Sequence, residues 1–380
     1  MTDPEEIAVR PVDSRRDLRA FVRVPFALYH NDPNWVPPLQ FERRQHFGPA
    51  NPYFEHARAR FFLACRNRRP VGRISAQIDW LAQPDLGTPI GHFGLVEAAD
   101  QGVLHALLEA AEAWLQDQGA ALSEGPYSLS SNDETGLLVV GHDRPPRVLM
   151  NYGPAWYAKA LEKAGYIKAK DLLAYRANVN QRFPARAALV ARSAAADPRV
   201  RERQLDMRDL NAEMRRVANV FNDAWSGNWG FVQMTEAEVR HMTRSLKPII
   251  RPELVRISEY DGEPVAMIVA VPDLYIVLRE LRGRLLPFGW AWLLWRIKFR
   301  PPEHGRVMLM GVRRRYQGGN LAAGLSALMM QRLHEAARGL NMAEFELSWI
   351  LEDNEPMIHL LELLRAEEDK RYRLYRKALR

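Results

Sequence analysis

The chain has a single cysteine, Cys65, among 380 residues. One thiol makes no disulfide within the chain, so a reducing compartment is expected. Inside the apolar run "RFFLACR" that thiol reads as a small core residue, because free cysteine is among the most buried residue types. No apolar run reaches the ~18 residues that a membrane span requires. The opening "MTDPEEIAVRPVDSRRD" has no apolar stretch of the secretory kind, which points to the cytoplasm. An HExxH motif, paired Cys/His metal spacings, a P-loop lysine and a GxSxG elbow are all missing. With the histidines scattered as well, no metal site is expected.

Against these absences stand 47% hydrophobic and 26% charged residues, an ordinary globular balance in a chain long enough for two domains. The net charge of +7 favours an acidic partner: nucleic acid, an anionic membrane face or a phosphorylated cofactor. The basic and aromatic interleaving of a nucleic-acid surface is not found, so no nucleic acid is expected.

The hydropathy pattern runs twice through one order. In the first half "IAVRPV" predicts a strand, Asp17 to Tyr29 a helix, "ARFFLAC" and "VGRISAQID" a hairpin, and "GHFGLVE" a further strand. Leu104, Leu107, Leu108, Ala111 and Leu115 share a helical face that ends at Gly119. "ALSEGPYSLS" returns as a strand, "PAWYAKALEKAGY" as a helix, and "DLLAYRA" closes the half. The second half repeats this through "RERQLDM", helices over 210–225 and 236–250, the hairpin "LVRISEY" and "PVAMIVAVP", the strand "RVMLMGV", a helix from Asn320, "MAEFELSWI", "EPMIHLLELLR" and "RYRLYRKAL". Residues 181–198, rich in alanine and arginine, separate a domain 1–180 from a domain 199–380. The fold class is α/β: two mixed, twisted sheets, each with helices on both faces.

Phosphate chemistry concentrates in "VRRRYQGGNLAAGL", Val312 to Leu325. A turn from a strand into a helix N-terminus presents unbonded N–H groups and a positive dipole end. It is a natural phosphate site. Gly318 and Gly319 allow close backbone approach, and Arg313, Arg314 and Arg315 add charge. A solvated basic turn would carry the same arginines. The strand before them, Tyr316-Gln317-Gly318-Gly319 and the stripe Leu321, Leu325, Leu328, Met329 and Leu333 in register favour the phosphate site.

This stretch resembles motif A of the GCN5-related N-acetyltransferase (GNAT) superfamily, with Gln317, Asn320 and Ala322 at its marked positions. Asn320 stands where glycine is usual. The resemblance implies that Gly311, Val312, Arg313, Arg314, Arg315, Gln317, Gly318, Gly319, Asn320, Leu321 and Ala322 bind acyl-CoA, with the Met310, Gly311 and Val312 amides polarising its thioester. "EDNEPMIHLLELLRA" is similar to the second motif, with Asn354 at its asparagine; Leu361 replaces the tyrosine that often serves there as general acid. The first half is similar to the same fold, but its loop "GLVEAADQG" sets Glu97 and Asp100 where phosphates would lie. Like charges repel, so this half reads as a degenerate copy. "GPYSLSSNDETGLLVVGHDRPP", "FNDAWSGNWGFVQMT" and "GEPVAMIVAVPDL" extend the resemblance over the whole chain, to a two-domain bacterial group that includes ceramide synthases. Those enzymes N-acylate a sphingoid base with long-chain acyl-CoA.

A segment at 273–304 is longer than the turn that a minimal acyltransferase has there. It carries Trp290, Trp292 and Trp295 in an apolar run from Leu285, flanked by Arg279, Arg282, Arg284, Arg296, Lys298 and Arg300. Such a segment suits a membrane interface or an acyl-chain groove; a pair of core helices fits it equally.

Acyl transfer to an amine needs a neutral nucleophile, donors toward the developing oxyanion, and a route for the proton. Asp273, Glu352 and His359 are the candidate bases, though each also reads as a surface group, a cap or a packed residue. No convincing protein nucleophile is present, so direct attack is expected. The polar loops "SSNDETG" and "WSGNWG" offer Asn132, Glu134, Asn228 and Trp229 for the acceptor, and the insert offers Trp292. The function expected is acyl-CoA-dependent N-acylation of a lipid amine, with an anionic inner-membrane face as a further partner. Acetyl transfer to a small polar amine and a non-enzymatic lipid-binding role stand beside it.

Overall fold

The computed structural model describes residues 6–83, 87–285 and 287–379. Residues 1–5 of the N-terminal stretch, Leu286 of the apolar run and the Lys298 side chain lie outside the described residues. Two compact units are present. One takes the chain up to Leu172 with Leu278–Trp290 and the end from Lys370; the other takes Leu173–Val277 and Ala291–Asp369.

The first half of the chain runs β1 (Ala8–Pro11), α1 (Arg15–Leu28), α2 (Gln40–His46), β2 (Ala57–Arg66), β3 (Arg69–Asp79), β4 (Ile90–Ala98), α3 (Gln101–Asp117), β5 (Leu122–Gly125), β6 (Leu137–Val140), α4 (Trp156–Lys163) and β7 (Ile167–Asn178). In the first unit the strand order is β1-β2-β3-β4-β5, completed by β13 (Glu367–Ala378) from the end of the chain. β4 and β5 are parallel. Side chains alternate along a strand, and β2 shows the result. Phe62 and Ala64 pack with Leu104, Leu107 and Leu108 of α3. Leu63 and Cys65 pack with Phe21 and Val22 of α1 on the other face. Each buried leucine of this kind contributes about 1.5–3 kcal/mol. "ALSEGPYSLS" forms a strand only as far as Gly125; Pro126 follows and has no N–H to give a ladder.

The second half runs α5 (Ala185–Ala195), β8 (Val200–Gln204), α6 (Leu210–Trp225), α7 (Glu236–Leu246), β9 (Val255–Tyr260), β10 (Glu263–Pro272), α8 (Tyr275–Leu281), α9 (Gly289–Phe299), β11 (His304–Val312), α10 (Asn320–Gly339), β12 (Glu344–Leu351) and α11 (Glu355–Leu363) before β13. α7 ends four residues before the expected Ile250: Lys247 keeps helical dihedrals, but Pro248 has no N–H to continue the hydrogen-bond ladder. In the second unit the sheet order is β7-β12-β11-β10-β9-β8. Leu325, Met329 and Leu333 of α10 cover one face with Leu361 of α11; Val217 and Phe221 of α6 and Val239 of α7 cover the other. Within residues 181–198, α5 packs Ala191 and Ala194 on Ala327 and Leu328 of α10. Gly324 makes that approach possible, since a Cβ there would come 2.8 Å from Ala194 Cβ.

Candidate active site

Two parallel strands separate at Val307. β11 and β12 pair only from His304 with Glu344 to Val307 with Leu347, although β11 continues to Val312 and β12 to Leu351. Against β10, Val307 faces Ala270 and Leu309 faces Val269, which leaves Met308 as an extra residue. A bulge bends and twists its strand. Here it turns Leu309–Val312 from β12, so that backbone groups on that edge face a gap instead of a ladder.

β11 enters α10 through a single 3-10 turn, Arg314–Tyr316. Gln317 braces it: Nε2 donates to Val312 O at 2.8 Å and to Ala224 O at 3.1 Å. Gly318 has φ +79°, in the left-handed region where glycine is at ease. Gly319 is the extended N-cap of the 20-residue α10 and supplies no side-chain cap. No atom lies within 4 Å of a Cβ built at either glycine. The first turn of α10 therefore presents amides and a positive dipole end to open space.

The arginines divide their work. Arg313 Nε donates to Pro264 O at 2.8 Å and lies 3.9 Å from Glu263. Arg315 pairs with Glu263 and stacks 4.7 Å over Tyr316. Arg314 donates Nη1 to Ser226 Oγ at 3.3 Å and its backbone N–H to Asp223 at 3.0 Å. One carboxylate thus faces Arg313 and Arg315, while the Arg314 guanidinium bonds an uncharged hydroxyl.

The first unit has the same parting, filled. β4 and β5 pair only over Ile90–His92 with Leu122–Glu124, although β4 continues to Ala98. Tyr127 N–H donates to Phe93 O at 2.8 Å, and a Cβ at Gly94 would strike the Tyr127 carbonyl. Gln77 Nε2 holds that segment through Tyr127 O at 3.3 Å and Leu129 O at 3.2 Å. Asp100 caps α3, accepting from Val103 N–H at 3.0 Å, and pairs with Arg66 at 2.6 Å. Glu97 is buried, accepts from Tyr29 Oη and lies 3.5 Å from Arg73 Nη2. Burial pushes its carboxyl up to about 7 against the opposing pull of Arg73. Tyr157 Oη accepts from Ala98 N–H at 2.6 Å.

No protein-family model matches the chain. It is 42% identical, over 98% of both chains, to a Caulobacter vibrioides protein named bacterial ceramide synthase. The chain belongs to the bacterial ceramide synthase family. YghO of Escherichia coli is 40% identical over 98% of this chain and 95% of its own. Solved structures agree on the fold. A tandem GNAT protein from the clavulanic acid pathway superposes with TM-score 0.57 at 12% identity, covering 99% of each chain. A GCN5-related N-acetyltransferase from Sphaerobacter thermophilus gives 0.56 at 15% identity, covering 100% of this chain and 98% of its own. The ceramide synthase family member described here accordingly shares the fold of tandem GNAT chains.

In this ceramide synthase family member, Gly311 to Ala322, Glu352 and Asn354 collect at the C-terminal ends of β11 and β12. Asn354 caps α11 through Met357 N–H at 3.2 Å, and Glu352 is half-buried in the turn before it. The Trp225 ring packs on Gly311, where no Cβ would fit, and Gly227 lies against the Arg314 guanidinium. The loop of Asn228 and Trp229 therefore starts beside the turn into α10. Asp273 sits at the other end of β11: Pro272 pairs with Gly305 and Ala266 with Val312, roughly 20 Å away at ~3.3 Å per residue. It is buried and accepts from Tyr275 N–H at 3.2 Å, a turn-holding role in place of a cleft-facing one. His359 is exposed on α11, and Trp292 is half-buried on α9. Asn132 and Glu134 belong to the first unit. Asn132 N–H donates to Ser130 Oγ at 3.1 Å. Glu134 is buried with both oxygens on Arg43 of α2, so that carboxylate is committed to an ion pair.

Sequence reasoning missed Arg306, Glu346 and Ser348. All three are buried. Arg306 Nε donates to Ser348 Oγ at 3.0 Å, Ser348 Oγ donates to Glu346 Oε1 at 2.8 Å, and Arg306 lies 4.7 Å over the Trp349 ring. Arg306 and Glu346 are register partners, one pair before the strands part. The available signal was "FELSWI": Glu346 and Ser348 are two apart, hence on one face of a strand whose other face packs Phe345 and Leu347 in the core.

Proposed function

We propose that this N-acyltransferase moves a long-chain acyl group from acyl-CoA to the amine of a sphingoid-base-like lipid, working at the cytoplasmic face of a membrane. The observation that carries the reading is the uncapped start of α10 beside the parted strands β11 and β12. The amides of Gly319 to Ala322 and the Arg314 guanidinium would hold the pyrophosphate. The free edge of Leu309–Val312 would orient the rest of the donor and polarise its carbonyl. Acyl-CoA supplies the activated thioester. Ser348 and Glu346 stand at the parting and take up the proton that the attacking amine releases. The relative named ceramide synthase supports a lipid acceptor, as does the apolar insert.

The test is turnover of palmitoyl-CoA and acetyl-CoA, each with sphinganine and with a small polar amine, following free thiol and N-acyl product. A bound chain gains about 0.8 kcal/mol per buried methylene, so palmitoyl-CoA with sphinganine is expected to lead by about hundredfold or more in kcat/KM. Faster acetyl transfer to the polar amine would replace the lipid reading. No thiol release from any pair would leave a binding protein on a disabled fold.

A further inference from the structure

We propose that α9 docks this protein on an anionic lipid bilayer. The inference deepens the lipid-acceptor reading and rests on it only for its purpose, since the surface itself is read from α9. Among the described residues, Phe288, Trp290, Leu294, Trp295 and Phe299 are 47–78% exposed. At 100° per residue Trp290, Ala291, Leu294, Trp295 and Phe299 fall within one half of the helix. The half-buried side carries Gly289, Trp292, Leu293, Arg296 and Ile297. A core or ordinary surface helix turns its charge outward. α9 keeps Arg296 half-buried, its guanidinium on the Arg300 carbonyl, and leaves Trp290, Leu294, Trp295 and Phe299 exposed on one half, within which helical spacing also places Lys298. A pair of core helices, one of the two readings of the insert, does not describe it.

Charge selects the occupant. From Arg279 to Arg300 the sequence has six Arg or Lys and a single acid, Glu280. Arg282 and Arg284 are exposed before Phe288, and Arg300 is exposed after Phe299, so cations bracket the apolar face at both ends. A second copy would bring the same cations against these. An anionic headgroup layer complements them, and tryptophan favours that layer. Eleven residues make about 16 Å of helix, which lies in the interface plane; no helix among the described residues is long and apolar enough to cross a membrane.

The experiment is co-sedimentation of the full chain with phosphatidylcholine vesicles, with and without phosphatidylglycerol. Wild type is expected to bind the phosphatidylglycerol vesicles with a blue shift of tryptophan emission. The triple variant Trp290→Ser, Trp295→Ser, Phe299→Ser should bind about tenfold or more weakly. The triple variant Arg282→Gln, Arg284→Gln, Arg300→Gln should lose about fivefold per arginine, and about 1 M salt should have the same effect on wild type. All six side chains are exposed, so unchanged melting temperatures certify folded variants. Wild type that ignores phosphatidylglycerol, or an apolar variant that binds as wild type does, overturns the proposal. So does a wild-type dimer that the apolar variant converts to monomer, which would make a second copy the occupant. Turnover with a soluble short-chain amine is read separately: activity without vesicle binding sinks the docking alone, and vesicle binding without activity sinks the transferase reading alone.

Discussion

The turn after β11 and the turn after β4 follow one strand–loop–helix plan and treat their helix N-termini in opposite ways. α10 begins at Gly319, with no side-chain cap and open space where a Cβ would lie. α3 begins at Asp100, whose carboxylate already holds Val103 N–H and Arg66. Beside α10 the strands part around a gap; beside α3 the backbone of Tyr127 fills it. Repulsion by Glu97 and Asp100 together was the sequence-based account of why the first copy binds nothing. The geometry separates their roles. Asp100 is the anion that the helix terminus would otherwise accept from a ligand, and Glu97 belongs to a buried group with Tyr29 and Arg73.

The sharpest way to break this contrast is to move the cap. Gly319→Asp gives α10 what α3 has. Gly319 is extended, with φ –126° and free space for a side chain, so the substitution needs no backbone change. Relative to glycine, a capping carboxylate adds about a few tenths of a kcal/mol of stability while taking the amides and opposing a pyrophosphate at close range. Acyl-CoA affinity by calorimetry should fall by about hundredfold or more, with the melting temperature unchanged or raised. Undiminished affinity in a more stable variant would mean that the phosphates lie elsewhere.

The turn into α10 was legible because its signals are local: two glycines, a strand before them and a 3.6-residue stripe after. The element order was legible for the same reason. What stayed hidden is non-local. The pairing of β13 with β5 brings Tyr375 opposite Gly125 and leaves no mark on either segment. The bulge at Met308 depends on the register with β10, which hydropathy does not encode. α2 was missed because none of its residues is buried, so it has no apolar period to read. Missing α2 also hid Arg43, and with it the reason why Glu134 is an ion-pair partner.

A smaller effect tests whether Glu97 is a charge at all. Its carboxyl is pushed up to about 7 by burial, against 4.5 for an ordinary glutamate. The folded state therefore holds the proton more tightly. The stability this contributes is complete below about pH 4.5 and is lost as pH rises through about 7. Glu97→Gln removes that dependence. Between pH 5 and 8, wild type should lose on the order of 2 kcal/mol relative to the variant in urea unfolding. Parallel pH profiles would show that Arg73 keeps Glu97 ionised, and repulsion would return as part of the contrast between the turns.

The smallest expected effect is the reverse exchange. Asp100→Ala strips the cap from α3 and the partner from Arg66. Losing a cap costs about 1 kcal/mol, a fall of about 2–4 °C in melting temperature for a domain of this size. If uncapped amides were sufficient for a phosphate site, the first unit would now bind acyl-CoA. They are not sufficient here: Gly94 still lies beneath the Tyr127 carbonyl, and Gln77 still holds that segment across the gap. Calorimetry should therefore keep the wild-type stoichiometry, with no second acyl-CoA gained. A gained equivalent would show that the cap alone separates the two turns; an unchanged one assigns the loss in the first copy to its filled strand gap as much as to its aspartate.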